Sequence, residues 1–144
     1  MTADLSVTAR NDLAELARVS RLLEEFAARH AVPPPVVFDV SLALDEMLTN
    51  VISYGYDDDG THDIAVRVTL HANELVLEVE DDGRPFNPLE VPPPALHQPL
   101  RERPIGGLGI YLARQVMDDV AYRREGGKNL LVMRKSCVKG ENTT

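Results

Sequence analysis

Two stretches of alternating hydrophobicity, each folded back on itself by a short turn, most limit what this chain can become. From His62 to Leu70 the residues alternate, with Ile64, Val66, Val68 and Leu70 on one face. Ala72-Asn73 then reads as a hairpin turn, and Leu75 to Val79 as the returning strand. Near the end, Val120-Ala121-Tyr122-Arg123 and Asn129 to Met133 flank the turn Glu125-Gly126-Gly127-Lys128. Strands joined this way pair antiparallel, because a parallel pair needs a crossover of a dozen residues or more. Helical patterns lie outside the hairpins. One runs from a cap at Asn11 or Asp12 to about His30, with a stripe of Leu13, Leu16, Ala17, Val19, Leu22, Leu23 and Phe26. Pro33-Pro34-Pro35 breaks it and starts a second helix to Tyr54, faced by Val37, Val40, Leu44, Met47, Leu48, Val51 and Ile52. A third begins at Gly107 and ends near Met117, and Leu5 to Ala9 forms a short first strand. Hairpins with segregated helices argue an α+β fold, helices on one face of a mostly antiparallel sheet.

The 144 residues are expected to form one domain over 1–138, followed by a frayed polar tail over 139–144. A domain of this size buries roughly 68–70% of its unfolded surface, so a core is available without staples. The net charge of −8 argues against a nucleic-acid binder, whose affinity comes from cations on phosphates. It suits a basic protein partner or plain solubility. No run approaches the roughly 20 apolar residues of a membrane span, and no signal pattern opens the chain. Cys137 is the only cysteine, which rules out an intrachain disulfide and fits a cytoplasmic setting. Between Phe86 and Ile105 periodicity disappears among six prolines. Such long loops are often functional lids.

Three segments carry chemistry. In Leu44-Asp45-Glu46-Met47-Leu48-Thr49-Asn50, Glu46 and Asn50 lie one helical turn apart on one face. The Asn50 amide oxygen can ligate Mg²⁺, which takes hard oxygens and few protein atoms. The Glu46 carboxylate can deprotonate a hydroxyl attacking a γ-phosphate. By spacing alone the pair better suits a solvated polar face, since such pairs are common. Asp81, at the end of a strand and before Gly83 and Pro85, can accept from the amino group of adenine, and Gly83 allows a flat base to approach. It can also be an acidic turn closing a strand. Gly106-Gly107-Leu108-Gly109 opens a helix whose N–H groups can bind phosphate, or is a plain loop-to-helix joint. No Walker lysine and no dinucleotide fingerprint is present. His30, His62, His71 and His97 are scattered and read as structural or surface residues.

Together these segments resemble the nucleotide boxes of the Bergerat-fold ATPase and kinase superfamily, which includes histidine-kinase catalytic domains, gyrase B and MutL. Glu46 and Asn50 match the first box, Asp81, Gly83 and Pro85 the second, and Gly107 and Gly109 the third. Pro85 stands where histidine kinases carry glycine. With Leu44-Asp45-Glu46, Tyr54-Gly55-Tyr56, Gly106 to Ile110, Met117 to Val120 and Gly127 to Leu131, it points to the anti-sigma-factor serine/threonine kinases. The resemblance implies a two-layer α/β sandwich and an ATP-dependent protein serine/threonine kinase. It implies Glu46 as general base, Asn50 as the Mg²⁺ ligand and Asp81 as the adenine reader. Gly83, Pro85, Gly106, Gly107, Leu108 and Gly109 would shape the ATP pocket. Arg101 or Arg103 in the lid would reach a phosphate, or stay solvated. The implied partners are a sigma factor and a small STAS-type anti-sigma-factor antagonist, with no direct nucleic acid and no membrane. Family members are often dimers, which makes a homodimer through the first strand or first helix an expectation. The alternative is a nucleotide-binding regulatory module without kinase activity.

Overall fold

A computed structural model describes residues 2–92 and 107–138. The elements run β1 (Thr2–Arg10), α1 (Glu15–Arg29), α2 (Pro34–Tyr54), β2 (Asp63–His71), β3 (Glu74–Asp81), a 3₁₀ turn (Pro88–Glu90), α3 (Gly107–Val116), β4 (Asp119–Glu125) and β5 (Lys128–Ser136). The strands form one five-stranded sheet in the order β1-β2-β3-β5-β4, every pair antiparallel. This is the α+β architecture that the hairpins imply. The expected tail over 139–144, and residues 93–106 of the lid region with Arg101, Arg103 and His97, lie outside the described residues; the described start of the expected loop, after Phe86, is not wholly irregular but holds the 3₁₀ turn Pro88–Glu90. Among the described residues no helix is long and apolar enough to cross a membrane.

The core sits between the sheet and the helices. Val7, Ile64, Val66, Val68, Leu75, Leu77, Val79 and Met133 point inward at the strand period of two. They meet Val19, Leu23 and Phe26 of α1, Val40, Leu44, Met47 and Leu48 of α2, and Ile110, Ala113 and Met117 of α3 and its end. Truncating one such leucine to alanine typically costs about 2–5 kcal/mol. The parity of β3 also buries a polar group. Asp81 falls in phase with Leu75, Leu77 and Val79, so its carboxyl is delivered to the core face at the strand's end, 5% exposed.

Two local expectations change. Neither Asn11 nor Asp12 caps α1, which begins at Glu15 after Ala14 without a side-chain cap. Asp12 Oδ1 instead accepts from Ala14 N at 3.0 Å, closing a turn ahead of the helix and leaving Leu13 outside it, 53% exposed. Asn11 is used across the fold: it accepts from His62 N at 2.8 Å and donates to Gly60 O at 3.2 Å, tying the α2–β2 connection to β1. Nor do the prolines end α1. The chain leaves it at Ala31, whose φ is +57°, with Val32 N donating to Ala27 O and Ala31 N to Ala28 O. That is a Schellman ending, sealed by the burial of Val32. The Ala72-Asn73 hairpin is as expected, both residues having positive φ.

Candidate nucleotide site

The long helix α2 carries the first pair. Glu46 and Asn50 face one another across a turn, and Asn50 is 8% exposed. Asn50 Nδ2 donates to the Glu46 carbonyl at 2.7 Å. A carbonyl can only accept, so this bond settles the amide orientation and turns Oδ1 away from the helix. Asn50 lines a slot between α2 and the sheet. A hard oxygen presented there fits Mg²⁺, which completes its shell with water and phosphate. Among the described residues no cluster of three or more His, Cys, Asp or Glu could hold a metal by itself.

Glu46 reaches toward the start of α3. A methyl group placed on Gly109 would run into Glu46 Oε1, so only glycine lets the carboxylate lie against that helix end. Burial, and then the charge of neighbouring Asp45, push the Glu46 carboxyl above the usual range. A carboxylate raised this way is a better proton acceptor, and it sits beside the positive end of a helix dipole. Gly107 begins α3, Leu108 and Gly109 are partly buried within its first turn, and Gly106 lies outside the described residues.

Asp81 and Gly83 form the second centre. Asp81 Oδ1 accepts from Gly83 N at 2.8 Å and from Asn129 Nδ2 at 3.0 Å. Burial holds the Asp81 carboxyl above its usual range, and these two bonds offset only part of that rise. Gly83 has a packing reason besides the expected approach of a base. A Cβ there would stand 2.5 Å from Gly55 O and 2.9 Å from Asp81 Oδ1, so glycine permits the close packing of two backbone segments. The neighbouring Arg84 N–H donates to the same Gly55 carbonyl at 2.9 Å. Pro85 is exposed and does not line the slot.

The slot has a volume of about 40 Å³. Met47, Val51, Val79 and Leu131 make apolar walls, Asn50, Asp81 and Asn129 supply polar atoms, and Tyr54, Arg84 and Phe86 stand at the mouth. The structure thus brings Asn50 and Asp81 to one cavity, and packs Glu46, one turn from Asn50 on α2, against Gly109 of α3. Three side chains with no role assigned from sequence complete it. Asn129 is 6% exposed and directly opposite Asp81 in the β3–β5 register. Tyr122 Oη and Arg124 Nη1 both donate to Asn129 Oδ1, and Arg124 Nη1 also donates to Gly83 O at 2.9 Å. The sequence signals for them are that Asn129 falls within the Gly127-to-Leu131 segment of the resemblance and shares the inward parity of Leu131 and Met133.

Residues 9–135 match the family model described as the histidine kinase-like ATPase domain. A serine/threonine-protein kinase, BtrW of Bordetella bronchiseptica, is 31% identical over 92% of this chain and 90% of its own length. The serine-protein kinase RsbW of Bacillus cereus is 31% identical over 65% of this chain, an alignment that spans only 61% of the RsbW length. The crystal structure of the RsbU and RsbW domains of Rv1364c from Mycobacterium tuberculosis superposes with a TM-score of 0.67 at 17% identity, covering 93% of this chain and 32% of that one. At that identity the likeness speaks to the fold, which it shares. With the family model matched over nearly its whole length, this chain belongs to the histidine kinase-like ATPases, in the branch that holds the RsbW and BtrW serine/threonine-protein kinases.

Proposed function

We propose that this chain is an ATP-dependent protein serine/threonine kinase that phosphorylates a small STAS-type anti-sigma-factor antagonist and sequesters a sigma factor when the antagonist is phosphorylated. The observation that carries the reading is Glu46: a carboxylate of raised basicity, one turn from the slot-lining Asn50 and packed against the glycine start of α3. In the slot Asp81 would accept from the adenine amino group, and Asn50 Oδ1 would hold Mg²⁺, which when bound neutralises charge on the phosphates. The first-turn N–H groups of α3 would face phosphate oxygens. Glu46 would take the proton of a serine or threonine hydroxyl as its oxygen bonds to the γ-phosphorus. The bond from that phosphorus to the β,γ-bridging oxygen breaks, and ADP leaves with the electron pair. The product phosphate adds about −1.5 to −2 charges to the antagonist, enough to remodel a docking surface. A cytoplasmic setting goes with this reading.

Ligand pockets usually measure about 300–1,000 Å³. A slot of about 40 Å³ has room for on the order of three waters. Base binding would therefore widen the slot, with the exposed lining residues Tyr54 and Phe86 as the side chains proposed to move. Asp81, Asn50 and the glycines would serve a nucleotide-holding module equally well; Glu46 alone separates the two readings. The test is transfer of label from γ-labelled ATP to a cognate antagonist by wild type and Glu46→Gln. The substitution should abolish transfer and leave ATP affinity within about threefold. Transfer that survives it removes Glu46 as the base, and a wild type that binds ATP without transferring label is the binding module.

A further inference from the structure

We propose that Asn129 is a positioning residue that dictates which oxygen of Asp81 reads the nucleotide base, and so sets base specificity. The proposal rests on the adenine reading of the slot. The amide of Asn129 is saturated: Nδ2 donates to Asp81 Oδ1 at 3.0 Å and to the Arg84 carbonyl at 2.9 Å, while Oδ1 receives Arg124 Nη1 at 3.1 Å and the Tyr122 hydroxyl. Two of these partners have a single possible polarity. A guanidinium N–H can only donate, and a backbone carbonyl can only accept. Together they exclude the flipped amide, so one Nδ2 hydrogen must point at Asp81.

The consequence lies at Asp81. Its Oδ1 receives two N–H donors, from Asn129 and from Gly83 at 2.8 Å, and cannot carry a proton without losing one of them. Among the described residues no side chain or backbone group bonds Oδ2. An incoming donor therefore meets Oδ2, and meets it as an acceptor while the carboxyl is ionised. Burial raises the carboxyl above its usual range and the two N–H bonds oppose that rise, so the same amide that orients Asp81 also favours its ionised form. Arg124 of β4 and the Arg84 carbonyl thus impose their polarity on Asn129 of β5, and Asn129 passes it to Asp81 of β3.

The experiment compares calorimetric binding of ATP with that of inosine triphosphate, which carries a carbonyl where adenine carries its amino group. Wild type should prefer ATP by about tenfold or more, the worth of one charge-assisted hydrogen bond plus the repulsion of a carbonyl. In Asn129→Ala the preference should fall below about threefold, mainly through lost ATP affinity, with inosine triphosphate binding little changed. A purely structural Asn129 would weaken both nucleotides equally and keep the ratio, which overturns the proposal. A wild type without preference overturns the adenine reading itself. Should the alanine variant fail to fold, the isosteric Asn129→Asp is the second arm. Two carboxyls about 3 Å apart do not both ionise, so ATP affinity should become steeply pH-dependent between about pH 5 and 8. A profile and an ATP preference equal to those of wild type would overturn the proposal in that arm.

Discussion

Gly109 shows how much can rest on one missing methyl group. Alanine there would meet Glu46 Oε1, the end of a flexible side chain, so the carboxylate would move and the backbone would not. Alanine inside a helix is favoured over glycine by about 0.5–1 kcal/mol. Gly109→Ala should therefore hold or raise the thermal midpoint while slowing phosphate transfer at least about tenfold. A lower midpoint with transfer intact would contradict the placement of Glu46. At this scale the sequence is partly readable. Glu46 and Asn50 can be paired because helical spacing is local, and Asp81 can be singled out because it ends a strand. Asn129, Tyr122 and Arg124 cannot be assigned, because their gathering beside Asp81 depends on the β3–β5 and β4–β5 registers, and Asn129 lies 48 positions from Asp81. For the same reason the close packing of Gly83 on the Gly55 backbone cannot be read from sequence.

Among the elements, the end of α1 and the α2–β2 connection carry the clearest tests. Ala31 adopts φ +57° in a Schellman ending where glycine is usual. Ala31→Gly should raise stability by about 1 kcal/mol in a urea titration, since a left-handed alanine costs about 1–2 kcal/mol and glycine's extra unfolded-state freedom offsets part of the gain. A loss of stability would contradict the assigned backbone. The α2–β2 connection is held by His62, which hydrogen-bonds Asp58 at 2.9 Å, lies 3.6 Å from Asp82 and stacks on Tyr56 with ring centroids 4.1 Å apart. The hydrogen bond to Asp58, and then the charges of Asp58 and Asp82, raise the His62 pKa above its usual 6.5. A group raised on folding stabilises fully below its unfolded pKa and loses that contribution as pH climbs through the folded value. Stability should therefore decline as pH rises from about 6.5, and His62→Asn should flatten that limb. An unchanged slope in the variant would exclude His62 as its source. The hairpins, α2 and the third helix are readable as elements because their periods are regular. The start of α1 is not, because Asn11 and Asp12 look like caps in sequence and are recruited by the α2–β2 loop and a preceding turn instead.

For the molecule as a whole, the sheet order follows from two features already present in the alternation: hairpins make β2–β3 and β4–β5 neighbours, and helices must lie on the apolar face. What the alternation does not determine is that β5 inserts beside β3, leaving β4 at the edge. That insertion sets Asn129 opposite Asp81 and makes the slot a joint product of α2, β3, β5 and the mouth residues. The central claim is that this slot holds the base of ATP, read by Asp81. The most direct measurement is calorimetric titration of Mg-ATP into wild type and Asp81→Asn, an isosteric change that removes the charge and one acceptor. The account predicts saturable binding by wild type and a loss of about tenfold or more in the variant, with a thermal midpoint that stays near wild type without nucleotide. Equal affinity in the two proteins would contradict it.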